Sequence, residues 1–279
     1  MNNFLHNQLN ELKKKKIKFP ELELRILLNK TSIKKKEIIF SNFHINDINL
    51  LAFNKALKRR INSEPLSKIF NEKSFWKYNF YVTKDVLDPR PETELILEKV
   101  LEFFPEKAKK LKILDMCTGS GCLAISLSKE YKNSKIMATD ISSKAIAIAK
   151  QNSETILSKQ NNIKFIKCDL IEKEQIYDII VSNPPYLSEI EYENISQEMK
   201  LFEPKIALNG GKDGLDFYRK IANFLNILLG PKSLAFIEIG SNQAKEVINI
   251  FRNEKIETIK IIKDIQLFNR LIILKKNVD

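Results

Sequence analysis

The stretch Asp178-Ile179-Ile180-Val181-Ser182-Asn183-Pro184-Pro185-Tyr186 runs an apolar segment straight into two prolines flanked by an amide and a phenol. Proline fixes its own φ and has no N–H, so this turn offers carbonyl oxygens beside the Asn183 side-chain oxygen and few donors to compete with them. That is an acceptor-only cradle for an NH2 group. A side-chain amide or an exocyclic amine held there can aim its nitrogen at an electrophile, while the acceptors stabilise the positive charge that grows on it. Upstream, Leu114-Asp115-Met116-Cys117-Thr118-Gly119-Ser120-Gly121 ends another apolar run in a glycine turn. Gly119 and Gly121 let the backbone pass close to a ligand, and a helix opening there presents unpaired N–H groups. Asp140, 25 residues after Asp115, ends a second apolar run, where a carboxylate can accept from ribose hydroxyls. Asp169, in Lys167-Cys168-Asp169-Leu170, ends a third. Taken alone, Gly119-x-Gly121-x-x-Ala124 also fits a dinucleotide-binding fingerprint.

The rest of the composition narrows the chemistry. Only His6 and His44 occur, both far upstream of the glycine turn, so neither a Ser-His-Asp triad nor a histidine base belongs to the catalytic half. A sulfonium methyl donor, already activated, needs no such base. Cys117, Cys122 and Cys168 are too few for a disulfide framework and have no histidine near them to complete a zinc site, so no metal is expected. Gly210-Gly211-Lys212-Asp213-Gly214 lacks the Ser or Thr after lysine that a phosphate loop requires, and reads as a loop before a helix. The net charge is +12, and residues 1 to 75 hold 16 Lys and Arg against 7 Asp and Glu. A basic face suits an acidic partner such as RNA, yet only 7 of the 47 basic residues are arginine, so contact with nucleic acid is left open. No apolar run approaches the ~20 residues of a membrane helix, and the charges of the first segment follow its apolar residues, unlike a secretory signal; a cytoplasmic protein is expected.

These residues need a scaffold. All seven glycines lie beyond residue 118, and the glycine-free first part carries Leu24, Leu27 and Leu28, then Ile48, Leu51 and Leu57, at helical spacing. Residues 1–73 read as a small helical domain, with Pro20 and Pro65 as punctuation, and 74–92 as an aromatic hairpin or linker around Trp76. From 93 to 279 apolar strands alternate with helical stretches. Strands are expected at Lys112 to Met116, Lys135 to Thr139, Lys164 to Lys167, Asp178 to Ser182, Ser233 to Ile239, Glu257 to Lys263 and Arg270 to Leu274. Helices are expected at 121–130, 143–158, 214–229 and 242–253. Alternation predicts an α/β, doubly wound, seven-stranded and mostly parallel sheet; the last two strands are too close for a crossover and predict an antiparallel pair with one reversed strand at the edge. Ligands bind such sheets at the carboxyl ends of the strands.

The glycine turn, Asp140 and Asn183-Pro184-Pro185-Tyr186 together resemble the class I S-adenosylmethionine-dependent amino methyltransferases. Three further segments resemble the peptide chain release factor glutamine methyltransferases (the PrmC/HemK family). They are Asp88-Pro89-Arg90-Pro91-Glu92-Thr93-Glu94, Phe202-Glu203-Pro204-Lys205-Ile206-Ala207-Leu208 and Gly211-Lys212-Asp213-Gly214-Leu215, and the likeness covers roughly residues 63 to 275. The resemblance implies a Rossmann-like fold and S-adenosylmethionine as methyl donor. It implies that Cys117, Thr118, Gly119, Ser120, Gly121, Asp140, Asp169, Leu170 and Asn183 face the donor. Asn183, Pro184, Pro185, Tyr186, Arg90 and Thr93 would face a glutamine of a release factor, and the helical domain would dock that protein, free or ribosome-bound. Asn183 and Pro184 would be the catalytic pair. Two positions depart from the family pattern: Cys117 stands where glycine is common, and Leu170 where some relatives carry an aromatic. From the residues themselves, Thr93 or Glu92 can instead cap a helix and Arg90 can pair with Glu94. Two other functions share parts of the pattern: an enzyme methylating an exocyclic base amine in RNA or DNA, and a nucleotide-binding protein without transfer chemistry.

Overall fold

The computed structural model describes residues 3–34, 37–158, 162–171 and 175–277. The chain forms two compact units, Met1–Asn71 with Ser196–Phe202, and Glu72–Ile195 with Glu203–Asp279. The first is helical: Asn3–Lys14, Pro20–Lys30, Leu50–Ile61, Leu66–Phe70 and Gln197–Phe202. Leu5, Leu9 and Leu12 fall on one face of the first helix and meet Leu24, Leu27, Leu28 and Phe53 in a common core. Pro20 starts its helix, where a missing N–H costs nothing, and the Asn49 side chain accepts from Ala52 N–H to cap the next one. Arg60 is buried in this unit and donates to Glu23 at 2.5 Å and Glu198 at 2.9 Å.

The second unit opens with a hairpin, β1 (Glu72–Phe75) and β2 (Tyr78–Tyr81), turned at Trp76. Seven further strands build one sheet: β3 (Lys112–Met116), β4 (Lys135–Asp140), β5 (Ile163–Lys167), β6 (Tyr177–Ser182), β7 (Leu229–Glu238), β8 (Ile256–Lys263) and β9 (Asn269–Lys276). Their order is β5-β4-β3-β6-β7-β9-β8, parallel except for β9. Alternate residues serve opposite faces, as a pleated strand dictates. Ile113, Ile179, Phe236 and Ile273 meet helices Glu94–Phe103, Cys122–Glu130 and Ser143–Leu157 on one side. Leu114, Ile180, Ile237 and Ile272 meet Asp216–Leu228 and Ala244–Asn253 on the other.

One detail of the expected sheet needs correction. The reversed strand, β9, lies between β7 and β8, and the edge belongs to β8. Burial explains the order: Leu271, Ile272, Ile273 and Leu274 are all buried, whereas β8 carries Glu257, Lys260 and Lys263, side chains suited to an unpaired edge. Among the described residues no helix is long and apolar enough to cross a membrane.

Register decides what the sheet presents. Met116 pairs with Thr139 of β4 and with Ser182 of β6, and Ser182 pairs in turn with Ile237 of β7. Cys117, Asp140, Asn183 and Glu238 therefore leave the sheet along one carboxyl edge. The chain proceeds outward from β3 in one direction and from β6 in the other, so the switch in strand order falls between the glycine turn and Asn183.

Candidate active site

A partly open cavity lies on this edge. Of the residues expected at the donor, Cys117, Thr118, Gly119, Ser120, Asp140, Asp169, Leu170 and Asn183 line it, and of those expected at the substrate, Arg90, Thr93, Asn183 and Pro185 do. Pro184 is buried and Tyr186 partly buried in the same turn without lining the cavity, and Gly121 stands behind the loop. A Cβ on Gly121 would meet Ile125 at 3.0 Å and Ala149 at 3.1 Å, so its small size serves helix packing.

The glycine loop is held by polar groups on either side. Asp140 accepts from Gly119 N–H at 2.9 Å and Ser142 N–H at 2.8 Å, and Thr118 N–H donates to the Thr139 carbonyl at 2.9 Å. Burial raises the Asp140 pKa, and those two N–H bonds oppose the rise. Cys117 has φ 61° and Leu170 φ 66°, so both departures from the family pattern carry side chains through left-handed backbone. Gly119, with φ 55°, is different: a Cβ built there has nothing within 4 Å, because the space above it is the cavity. A backbone kept bare beneath open space, next to a carboxylate with unused lone pairs, fits a nucleoside-bearing donor. Asp169 sits at the half-exposed rim and spends one oxygen on Lys220 at 3.0 Å.

Asp115 lies within β3, one residue before its end. It is fully buried; one carboxylate oxygen accepts from Thr118 Oγ1 at 2.5 Å and Ala124 N–H at 3.1 Å, satisfying one orphan donor of helix Cys122–Glu130, and Oδ1 has no partner among the described residues. Burial pushes its pKa up to about 7, with neighbouring Asp140 adding to the rise. Burial likewise raises the thiols, Cys122 to about 12 and Cys117 well above its usual value, so neither serves as a thiolate nucleophile.

On the opposite wall, Asn183 Nδ2 donates to Thr93 Oγ1 at 3.0 Å, and Thr93 donates to Glu238 Oε2 at 2.6 Å. Thr93 thus stands at the N-cap of helix Glu94–Phe103 without its side chain making a capping bond, and Arg90 pairs with Glu203 at 3.1 Å instead of Glu94, whose carboxylate accepts from Trp76 N–H. Buried Glu203 also accepts from Asp88 N–H at 3.2 Å, which ties the segment Asp88 to Glu94 to the segment Phe202 to Leu208. Glu203 and Glu238 were not singled out by sequence reasoning. A buried acid in an apolar run, as in Phe236-Ile237-Glu238-Ile239, is the signal that marks the second.

The turn Asn183 to Tyr186 is backed by another loop. Leu187 N–H donates to the Leu208 carbonyl, Gly210 N–H donates to the Leu187 carbonyl, and Gln243 Nε2 donates to the Tyr186 carbonyl at 2.8 Å. A Cβ on Gly210 would stand 2.8 Å from the Pro185 carbonyl and 2.9 Å from Tyr186 Cα, so glycine alone permits this approach. Burial pushes the Tyr186 phenol up to about 12. No described residue hydrogen-bonds to Asn183 Oδ1. The arrangement therefore sets a free carbonyl acceptor against a cavity whose other side is a glycine loop and a carboxylate.

Comparison with known proteins identifies the family. The family model for the methyltransferase small domain matches residues 88–210. A release factor glutamine methyltransferase of Clostridium acetobutylicum is 36% identical over 89% of this chain and 89% of its own length. Another, of Thermodesulfovibrio yellowstonii, is 37% identical over 90% of this chain and 91% of its own. Among solved structures, a methyltransferase from Pyrococcus furiosus shares the fold at a TM-score of 0.53 and 15% identity, covering 81% of this chain and 100% of the other. With more than a third of the aligned positions identical to such relatives over about nine-tenths of each chain, the chain belongs to the release factor glutamine methyltransferases.

Proposed function

We propose that the site moves a methyl group from S-adenosylmethionine to the side-chain amide nitrogen of a glutamine in a peptide chain release factor. The observation that carries this reading is Asn183, which lines the cavity: its NH2 end is spent on Thr93, and its oxygen has no partner among the described residues. When bound, S-adenosylmethionine supplies a methyl group already activated as a sulfonium. Cys117, Thr118, Gly119 and Ser120 would hold it from the glycine loop, with Asp140 accepting from the ribose and Asp169 and Leu170 closing the rim. Asn183 Oδ1 accepts from the target NH2, with the Pro184 carbonyl as second acceptor once the glutamine enters the turn in which Pro184 is buried. They orient its nitrogen and stabilise the charge that develops there, which lowers the barrier without a base. The displaced proton passes to solvent. Pro185, Tyr186, Arg90 and Thr93 shape the glutamine pocket, and the basic helical domain, residues 1–73, docks the protein substrate. A cytoplasmic location follows from this reading, since that is where a release factor meets it.

The test is transfer of tritium from labelled S-adenosylmethionine into purified release factor and, separately, into ribosomal RNA. Label confined to a release-factor glutamine is the expected result. Label in RNA alone would overturn the substrate and favour the base-amine reading.

A further inference from the structure

Asn183 can be a cradle in only one of the two orientations of its amide. Turned as described, it presents an acceptor to the target NH2; turned over, it presents a donor to a donor. What fixes the choice is the chain of hydrogen bonds behind it. Thr93 has one hydroxyl hydrogen. An ionised carboxylate can only accept, so at 2.6 Å that hydrogen belongs to Glu238 Oε2, and the Thr93 oxygen must then accept from Asn183 Nδ2 at 3.0 Å. Polarity is set from one end of the chain to the other.

We propose that Glu238, acting through Thr93, is a positioning residue that keeps Asn183 Oδ1 toward the target nitrogen, and that protonation of Glu238 releases this orientation. A protonated Glu238 donates to Thr93 Oγ1, the hydroxyl hydrogen is freed to point at Asn183, and the amide turns its NH2 to the substrate. This inference rests on the reading of Asn183 as the amide cradle.

The surroundings make such a switch operable near neutrality. Glu238 ends β7 with 1% of its surface exposed. Burial pushes its pKa up to about 7, against the pull of the Thr93 bond and of Arg270. The charged and titratable groups that bear on it are Arg270 from β9, Arg90 and Glu92 from the segment before helix Glu94–Phe103, and Tyr186 from the proline turn. Tyr218 of helix Asp216–Leu228 and Cys122 of helix Cys122–Glu130 complete the set. Tyr218 donates to the main-chain carbonyl of Glu238, at 3.2 Å, and leaves the carboxylate to Thr93. Burial raises the pKa of Tyr186, Tyr218 and Cys122. They stay neutral where Glu238 titrates.

The experiment is single-turnover methylation of purified release factor at saturating labelled S-adenosylmethionine, across pH, with donor affinity measured on each variant by calorimetry. Wild-type rate should fall below the transition, by up to about tenfold per pH unit, and level off about tenfold to a hundredfold lower. Glu238→Gln, neutral at every pH, should transfer about tenfold to a hundredfold more slowly than wild type at high pH, the factor a charge-assisted hydrogen bond carries, and its profile should lose that fall. Thr93→Val should lose a similar factor and Thr93→Ser should recover most of it, with donor affinity unchanged throughout. Asp115, also titrating at about 7, would leave the fall in place in Glu238→Gln, and that result overturns the proposal. So does a Thr93→Val rate within twofold of wild type. Asn183→Ala in the same assay separates the two claims. If it is inactive while Glu238→Gln and Thr93→Val match wild type, the positioning chain alone is wrong; if it is itself within a fewfold of wild type, the cradle is wrong and the chain behind it falls too.

Discussion

At Asp140 a single carboxylate holds two main-chain N–H groups and still has lone pairs to offer a ribose. Asp140→Ala should therefore weaken S-adenosylmethionine binding by about 1.5–3 kcal/mol, roughly tenfold or more in Kd, since a hydrogen bond to a charged acceptor is lost and the Gly119 N–H is released with it. Calorimetric titration reads this directly, and an unchanged Kd would take Asp140 out of the donor site. Asn183 should fail in the opposite way. Its truncation leaves the glycine loop untouched, so Asn183→Ala is expected to bind the donor normally. It should transfer methyl about a hundred- to thousandfold more slowly, the effect of losing one preorganised hydrogen bond to the reacting group. Loss of donor affinity in that variant would assign Asn183 to the donor instead.

Among the elements, two glycines look alike in sequence and should behave differently on substitution. Gly119 has φ 55° with empty space above it, so Gly119→Ala adds about 1–2 kcal/mol of backbone strain and a methyl group in the donor cavity. The fold should survive and donor binding should be lost. Gly210 sits under the proline turn, where a Cβ would collide with the Pro185 carbonyl and the Gly214 carbonyl at 2.8 Å. Gly210→Ala should displace the turn, reducing transfer while donor binding persists. Parallel donor titration and single-turnover assays distinguish them, and a Gly210→Ala enzyme with wild-type transfer would show that the loop does not support the cradle.

For the whole molecule, buried acids set the pH dependence of stability. Asp115 and Glu238 are pushed up to about 7 by burial, and both would ionise near ~4 in the unfolded chain. Between those values the folded state holds more protons than the unfolded one, so stability falls as pH rises through that window. Glu130 runs the other way: burial works against its charge, but Lys107, Lys77 and Trp76 hold it at about 2, and it is ionised in both states above pH ~5. Tm should therefore be higher at about pH 5.5 than at about pH 8, with Asp115→Asn removing part of the difference. A Tm that climbs over this range would contradict the assignment. The basic run offers a second test at this scale. Lys15 and Lys16 are exposed, while Lys13 and Lys14 pair with Glu21 at 3.0 Å and Glu11 at 2.8 Å. Reversing charge at Lys15 and Lys16 should lower kcat/KM for intact release factor severalfold, more at low salt, and spare a short glutamine peptide. Equal losses on both substrates would tie the run to folding.

Local chemistry was legible in the sequence wherever neighbours in the chain carry it. Two prolines after an asparagine, glycines after an apolar run and period-two or period-3.6 patterns act within a few residues, and they yielded the strands, the helices, the glycine loop and Asn183 to Tyr186. Long-range partners left no such trace. Glu238 stands 55 residues beyond Asn183 and reaches it only because Ser182 and Ile237 share a register across parallel strands. The place of β9 inside the sheet followed from which strand had two apolar sides to bury, a comparison that exists only once the strands are assembled. Arg90 turned from its neighbour Glu94 to Glu203, and Thr93 turned from capping a helix to orienting an amide. In each case a local partner was chemically sufficient, and burial made the distant one better, because a carboxylate taken out of water must be met by donors that the tertiary fold brings to it.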